Sequence, residues 1–142
     1  MIEQWLFAMI GVWAFAVLFH APKKCYLSCA INGAIGWICY LCFKQLGASI
    51  GVSTMIASIL LTIVSRILAV VQKEPVTIFL VTGIFPLVPG AGIYYTAYYF
   101  IQKDCNMGAN MTLEVLTFAG AIALGIIIGS ILPQKLFSKL SK

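Results

Sequence analysis

Residues 75–102 read PVTIFLVTGIFPLVPGAGIYYTAYYFIQ, an uncharged apolar run that contains the motif PLVPGAG at residues 86–92. As one straight helix, these 28 residues would measure about 42 Å, whereas a bilayer core about 30 Å thick needs only about 20 residues. Pro86 and Pro89 each lack an N–H and disfavour helix in the preceding residue, and the two glycines of the motif permit positive φ. The motif therefore predicts a helix break at membrane depth, which is tolerated only against protein or a water-filled cavity.

The rest of the chain has the composition of a membrane protein. Of its 142 residues, 62% are apolar and 9% are charged, whereas soluble domains average roughly 45–50% and about 25%. So few charges cannot cover a soluble surface, and the composition equally excludes a disordered chain, a nucleic-acid-binding protein and a secreted disulfide scaffold. We predict an all-α polytopic integral membrane protein that forms a single transmembrane domain over residues 1–142.

The charged residues divide this domain into about five transmembrane helices, because the runs between them are continuously apolar and mostly near 20 residues long. The fourth is discontinuous at the motif, and a cytoplasmic tail at 135–142 follows the fifth. The predicted spans are approximately 4–22, 25–43, 45–65, 75–102 and 113–134.

The lysine and arginine residues predict the orientation. With five crossings and the N-terminus outside, seven of them lie on the inner side, and two, Lys44 and Lys103, lie on the outer side. If the run 75–102 only re-entered the membrane, five of these residues would lie on the inner side and four on the outer side. The positive-inside rule therefore favours five crossings with a cytoplasmic C-terminus.

The predicted break has two poles that suit a small zwitterion. A half-helix beginning near Gly92 would point its N-terminal amides into the break, where they favour a carboxylate. Carbonyls from residues 83–88 would hold an ammonium group or a cation. The substrate is therefore expected to be an amino acid or a small carboxylate, and the alternative is a proline kink that serves only packing. The predicted binding residues of the break are Gly83, Pro86, Pro89, Gly90 and Gly92.

Four tyrosines follow the motif as two i,i+4 pairs on adjacent faces. One interpretation is an aromatic belt near the outer membrane surface. The other places Tyr94 or Tyr95 at the break as a hydrogen-bonding gate for the substrate.

Two charged residues are further candidates. Arg66 at the end of the third span either pairs with a substrate carboxylate or snorkels to the inner surface. Glu114 at the start of the fifth span is either an acid in the first turn of a helix or a proton-coupling carboxylate. Small residues at Gly47 and Gly51, and at spacings of four in the fifth span, are expected to serve helix packing.

The chain resembles the threonine/serine exporter family, over Ser65–Phe79 and over Gly83–Tyr95 with its PLVPGAG core. It is similar to the small, all-membrane component of the split form of that family. The resemblance implies a bacterial inner-membrane protein that works with a larger subunit of the same family. It also implies export of threonine, serine or a small dicarboxylate.

Two hypotheses follow for the function. The first is a subunit of a secondary exporter of small amino acids, with its site at the break, in an oligomer without nucleic acid. The second is a structural or assembly subunit whose partner holds the whole site. An enzyme is not expected, because paired carboxylates, HExxH and Ser/Lys arrangements are absent from the sequence. Cys39 and Cys42 have CxxC spacing inside an apolar span, where thiolates are disfavoured, so no metal or cofactor is predicted.

Overall fold

The computed structural model describes residues 2–131, which form six α-helices joined by short turns. This architecture confirms the predicted all-helical membrane fold. Short 3-10 turns at Lys23–Cys25 and Phe85–Leu87 precede α2 and follow α4. The helices are α1 (Ile2–Leu18), α2 (Tyr26–Gln45), α3 (Ile50–Gln72), α4 (Val76–Ile84), α5 (Gly90–Ile101) and α6 (Cys105–Ile131).

Among residues 2–131, three segments are long and apolar enough to cross a membrane: α2 with its leading turn, α3, and α6. The pair α4 and α5 is bent by 52° at the break and gives a fourth such segment if the two helices are counted as one span. The apolar helix α1 is shorter and matches the predicted span 4–22 only in part. The helices overlap the five predicted apolar runs, although their ends differ.

The third helix is shifted relative to its predicted span of 45–65. It begins after Ser49, whose hydroxyl accepts the amide of Val52 at 3.4 Å, as a helix N-cap does. It ends at Gln72, because Lys73 adopts the left-handed conformation at φ 56°. Arg66 therefore lies inside α3 and not at its end, which corrects the prediction.

The last helix begins earlier than its predicted start at residue 113. Asp104 accepts the amide of Met107 at 3.1 Å, so it caps a helix that begins at Cys105. Glu114 is then the tenth residue of α6, and its interpretation as an acid in the first helical turn is wrong. The predicted end at 134 and the tail at 135–142 lie outside the described residues.

The helices have a consistent arrangement between two ends. An ion pair of 2.7 Å between Lys24 and Glu74 joins the start of α2 to the start of α4. We call this the basic end. Arg66 reaches the carbonyl of Ser130 at 2.6 Å, so α6 also terminates near that end and runs parallel to α3. Lys44 lies in the last turn of α2, far from the start of that helix at the basic end. Lys103 follows α5, which continues from α4 with a bend of 52° and does not reverse its direction. Both lysines therefore lie towards the opposite end.

Within the described residues, the most extensive helix–helix packing lies between α3 and α6, where small residues meet. Buried hydroxyls at Ser58 and Thr62 donate to carbonyls four residues earlier at 2.8 and 2.7 Å, so they need no partner on another helix. A Cβ added at Gly125 would lie 2.5 Å from Ser58 Cβ, and one at Gly129 would lie 2.7 Å from Thr62 Cβ. These glycines therefore serve packing, as expected. Gly47 instead forms a turn at φ 84° with open space around it.

We expect Gly125→Val to destabilise the protein by about 1–3 kcal/mol, because the new side chain would overlap Ser58 and the carbonyl of Met55. The matched control is Gly120→Val on the same helix, where an added Cβ meets nothing within 4 Å. Thermal unfolding of the detergent-solubilised variants measures the difference. Equal melting temperatures for the two variants would contradict the close packing of α3 against α6.

Candidate functional site

The break between α4 and α5 leaves backbone groups without helical partners. Pro89 has no N–H to donate, and the amide of Gly90 bonds to the carbonyl of Val88 at 2.8 Å. The carbonyl of Pro86 is therefore without the amide that would pair with it in a continuous helix. The second half-helix begins at Gly90, two residues before the predicted position near Gly92.

The start of α5 supplies unpaired amides. No side chain caps this helix, and the amide of Ile93 bonds to the carbonyl of Pro89 at 3.0 Å. The amides of Ala91 and Gly92 precede the first helical bond of α5 and belong to its orphan donors. Their dipoles add to the partial positive charge of the helix start, so this end of α5 suits an anionic group.

These groups border a cavity of about 350 Å³ between the break, α2 and α6. The break lies level with the middle of α3, because Leu87 packs with Leu61 in one buried cluster. The cavity brings together six of the predicted site residues from α5, α6 and the break. They are Pro86, Pro89, Gly90, Gly92, Tyr95 and Glu114.

The two glycines of the break have different surroundings. A Cβ added at Gly92 would lie 2.8 Å from Cγ2 of Val115, so this glycine lets α5 pack against α6. A Cβ added at Gly90 would meet nothing within 4 Å. The space beside Gly90 therefore belongs to the cavity and not to a helix contact.

Three predicted residues do not line this cavity. Gly83 is buried against Asn32, whose Nδ2 would lie 2.8 Å from an added Cβ. Tyr94 is 64% exposed and stacks with Tyr98, at 6.3 Å between ring centroids. Arg66 lines a second cavity and donates to the carbonyls of Gly129 and Ser130. The sequence therefore grouped residues that the fold separates.

Asn32 fixes the position of α4, and hence of the break. This side chain is fully buried, as expected for a polar residue in a membrane span. Its Nδ2 donates to Ser65 Oγ at 2.8 Å and to the carbonyl of Phe79 at 3.1 Å. One amide thus ties α2 to both α3 and α4 directly below the break.

An aromatic wall of the cavity was not predicted from the sequence. Trp37 and Tyr40 of α2 lie 5.4 Å apart between ring centroids, and Phe118 of α6 lies 6.2 Å from Tyr40. The only signal in the sequence is the spacing of three between Trp37 and Tyr40, which places them on one helix face. That spacing does not distinguish a cavity wall from ordinary packing.

Interrupted apolar helices that border a cavity are a common feature of transporter binding sites. The family model described as Threonine/Serine exporter, ThrE, matches residues 4–132, and the chain belongs to this family. Its function is therefore transport of the threonine/serine exporter type. No solved structure gives a significant match to the chain.

We expect a cysteine at position 90 to react with a water-soluble thiosulfonate about tenfold or more faster than one at position 58, because thiolates form only where water has access. The variants are Gly90→Cys and, as a buried control, Ser58→Cys, which is near-isosteric. Both are made in a chain whose five free cysteines are replaced by alanine. Equal labelling rates would mean that no water-filled cavity borders the break.

Proposed function

We propose that the chain is a subunit of a secondary exporter of small amino acids, threonine and serine above all, in the bacterial inner membrane. We further propose that it works with a larger partner subunit of the same family. The observation that carries the proposal is the cavity at the break, where orphan backbone groups, Tyr95 and Glu114 meet. Such interrupted helices hold the substrate in many secondary transporters.

In this proposal, the start of α5 binds the substrate carboxylate. The amides of Ala91 and Gly92 are the donors, and the helix dipole favours the negative charge. The carbonyl of Pro86 accepts from the substrate ammonium group on the other side of the break. Because the site consists mainly of backbone groups, it needs no charged side chain of its own to hold a neutral zwitterion.

Glu114 favours an amino acid over a dicarboxylate as the substrate. It lines the cavity from α6, and no residue within 2–131 forms an ion pair with it. When ionised, it would repel a second substrate carboxylate in the same low-dielectric space. Its position also suits a carboxylate that takes up and releases the coupling proton.

The charges at the two ends and the exposure of α5 support the proposed orientation and the proposed partner. The basic end carries Lys23, Lys24 and Lys73, so the positive-inside rule places it in the cytoplasm and the N-terminus outside. Helix α5 has no buried residue and packs mainly on α6. A partner subunit that covers α5, including its exposed Tyr94, would close the open side of the cavity. In the same proposal, residues 75–102 cross the membrane as one discontinuous span.

We expect Gly90→Leu to reduce export of labelled threonine and serine by about tenfold or more, since a leucine side chain would occupy the space beside the break. The protein should still fold, because nothing lies within 4 Å of the new Cβ. Export is measured from cells that also express the partner, and complex assembly is measured by co-purification.

Gly120→Leu is the matched control, because it adds the same side chain at an open position that does not line the cavity. It should export normally. Normal export by Gly90→Leu in an assembled complex would refute the transport site at the break. That outcome would favour the alternative, a structural subunit whose partner holds the whole site.

We expect Glu114→Gln to abolish the acceleration of export by an imposed proton gradient, because glutamine cannot exchange a proton. Exchange of labelled for unlabelled threonine at equal pH should persist, within about threefold of wild type. Proteoliposomes with and without a pH gradient distinguish the two rates. A gradient effect as large as in wild type would exclude Glu114 as the coupling group.

A further inference from the structure

Tyr40 is the most enclosed side chain of the aromatic wall described above. It belongs to α2 and lines the cavity at the break. Only 5% of this residue is exposed. Tyr95, the tyrosine that α5 contributes to the same cavity, is 47% exposed. The two phenols of the cavity therefore differ in how far the protein encloses them.

Three contacts hold the ring of Tyr40. Its centroid lies 5.4 Å from the ring centroid of Trp37 and 6.2 Å from that of Phe118. The Nζ atom of Lys44 lies over the ring, 5.7 Å from the centroid, as in a cation–π contact. All three contacts involve the ring and leave the hydroxyl unused. The ring therefore carries the hydroxyl at a position that its neighbours define.

The hydroxyl of Tyr40 has no hydrogen-bond partner among residues 2–131, although a buried tyrosine O–H usually finds one. In the same part of the chain, the fully enclosed side-chain polar atoms without a partner are Asn32 Oδ1 and Gln72 Oε1. The hydroxyl of Tyr40 is not among them, so part of its surface stays open, and Tyr40 lines the cavity at the break. An unpaired hydroxyl therefore borders that cavity.

From these observations we propose that Tyr40 recognises the side-chain hydroxyl of the transported amino acid and makes the site selective for threonine and serine. The inference rests on the proposed exporter function and deepens it, because it assigns a residue to the substrate side chain. In that function, the start of α5 binds the carboxylate and the carbonyl of Pro86 binds the ammonium group. The substrate side chain then meets the walls of the cavity that α2 and α6 supply.

These two walls offer three polar side-chain groups: the hydroxyl of Tyr40, the indole N–H of Trp37 and the carboxylate of Glu114. The indole only donates a hydrogen bond, whereas a phenol hydroxyl donates and accepts, as the substrate hydroxyl does. Glu114 is exposed, so water can replace a missing substrate hydroxyl there. Tyr40 is enclosed, and an enclosed hydroxyl that a bound ligand leaves unpaired weakens binding of that ligand.

This difference gives the site a selectivity that backbone groups alone do not provide. The amides and carbonyls of the break bind the carboxylate and ammonium groups that all zwitterionic amino acids share. A site that hydrogen-bonds a substrate hydroxyl rejects an analogue without it, because the polar group of the site then loses its partner. Tyr40 is therefore the residue that distinguishes threonine from 2-aminobutyrate, which is threonine without the hydroxyl.

The test measures exchange of trace labelled L-threonine in proteoliposomes that contain the chain with its partner. Unlabelled threonine and 2-aminobutyrate compete, and the ratio of their half-inhibitory concentrations gives the preference for the hydroxyl. We expect Tyr40→Phe to reduce this preference by about tenfold. The change should come from threonine, with the value for 2-aminobutyrate within about twofold of wild type. An unchanged preference would refute the role of Tyr40.

Tyr26→Phe is the matched control, because it removes a hydroxyl from the same helix at a position that does not line the cavity. It should keep the wild-type preference. If Tyr40→Phe weakens both ligands equally, the hydroxyl only supports the fold and the proposal is wrong. Glu114→Gln tests the competing assignment and should also keep the preference. Its loss in that variant, but not in Tyr40→Phe, would assign the substrate hydroxyl to Glu114.

The same assay separates this inference from the proposed function. If the wild-type complex exchanges no amino acid, the proposed function itself is wrong. If the wild type exchanges threonine but binds 2-aminobutyrate equally well, only the inference about Tyr40 is refuted. Serine and alanine differ by the same hydroxyl, so Tyr40→Phe should reduce the preference for serine over alanine by a similar factor. A preference for serine that survives the substitution would contradict the assignment.

Discussion

Backbone amides and carbonyls have no water to bond with inside a bilayer, so each must find a partner within the protein. Most of this chain meets that constraint with continuous helices, and even its buried hydroxyls bond within their own helix, as at Ser58 and Thr62. The break at Pro86 and Pro89 does not meet it. Its unpaired groups require a cavity or a ligand, and the structure places a cavity there. The remaining architecture positions this break through Asn32 below it and α6 beside it.

The two cavities differ in the polar groups that line them. At the break, backbone dipoles, whose partial charges are fixed by helix geometry and do not titrate, line the cavity together with the side chains of Tyr95 and Glu114. At the basic end, the polar groups are full charges on Arg66 and Glu74. A cavity near water tolerates full charges, because solvent screens them. A site deeper among apolar helices pays less desolvation when it relies on dipoles.

The sequence predicted the helical class and the break, because charge scarcity and paired prolines act through local physics. The helix ends were predicted wrongly where charged residues were used to mark the ends of the spans. Asp104 caps α6 and Lys73 terminates α3 in a left-handed conformation, whereas Arg66 lies within its helix. It was harder to predict which residues share one site. Gly83 and Gly90 are the same residue type in one run, and so are Tyr94 and Tyr95. Only the fold shows that Gly90 and Tyr95 border the cavity whereas Gly83 and Tyr94 do not. The aromatic wall at Trp37 depends on which helices become neighbours, which one sequence does not encode locally.

Helix α6 connects the two cavities as one uninterrupted rod. Glu114 borders the cavity at the break and Ser130 borders the cavity at the basic end, about 24 Å further along the helix axis. Between them, Gly125 presses directly against α3. Gly129, one turn further on, packs against Thr62 of α3 in the same way. Because these contacts lie between the two cavities, a shift of α6 towards α3 at either cavity has to displace α3 as well.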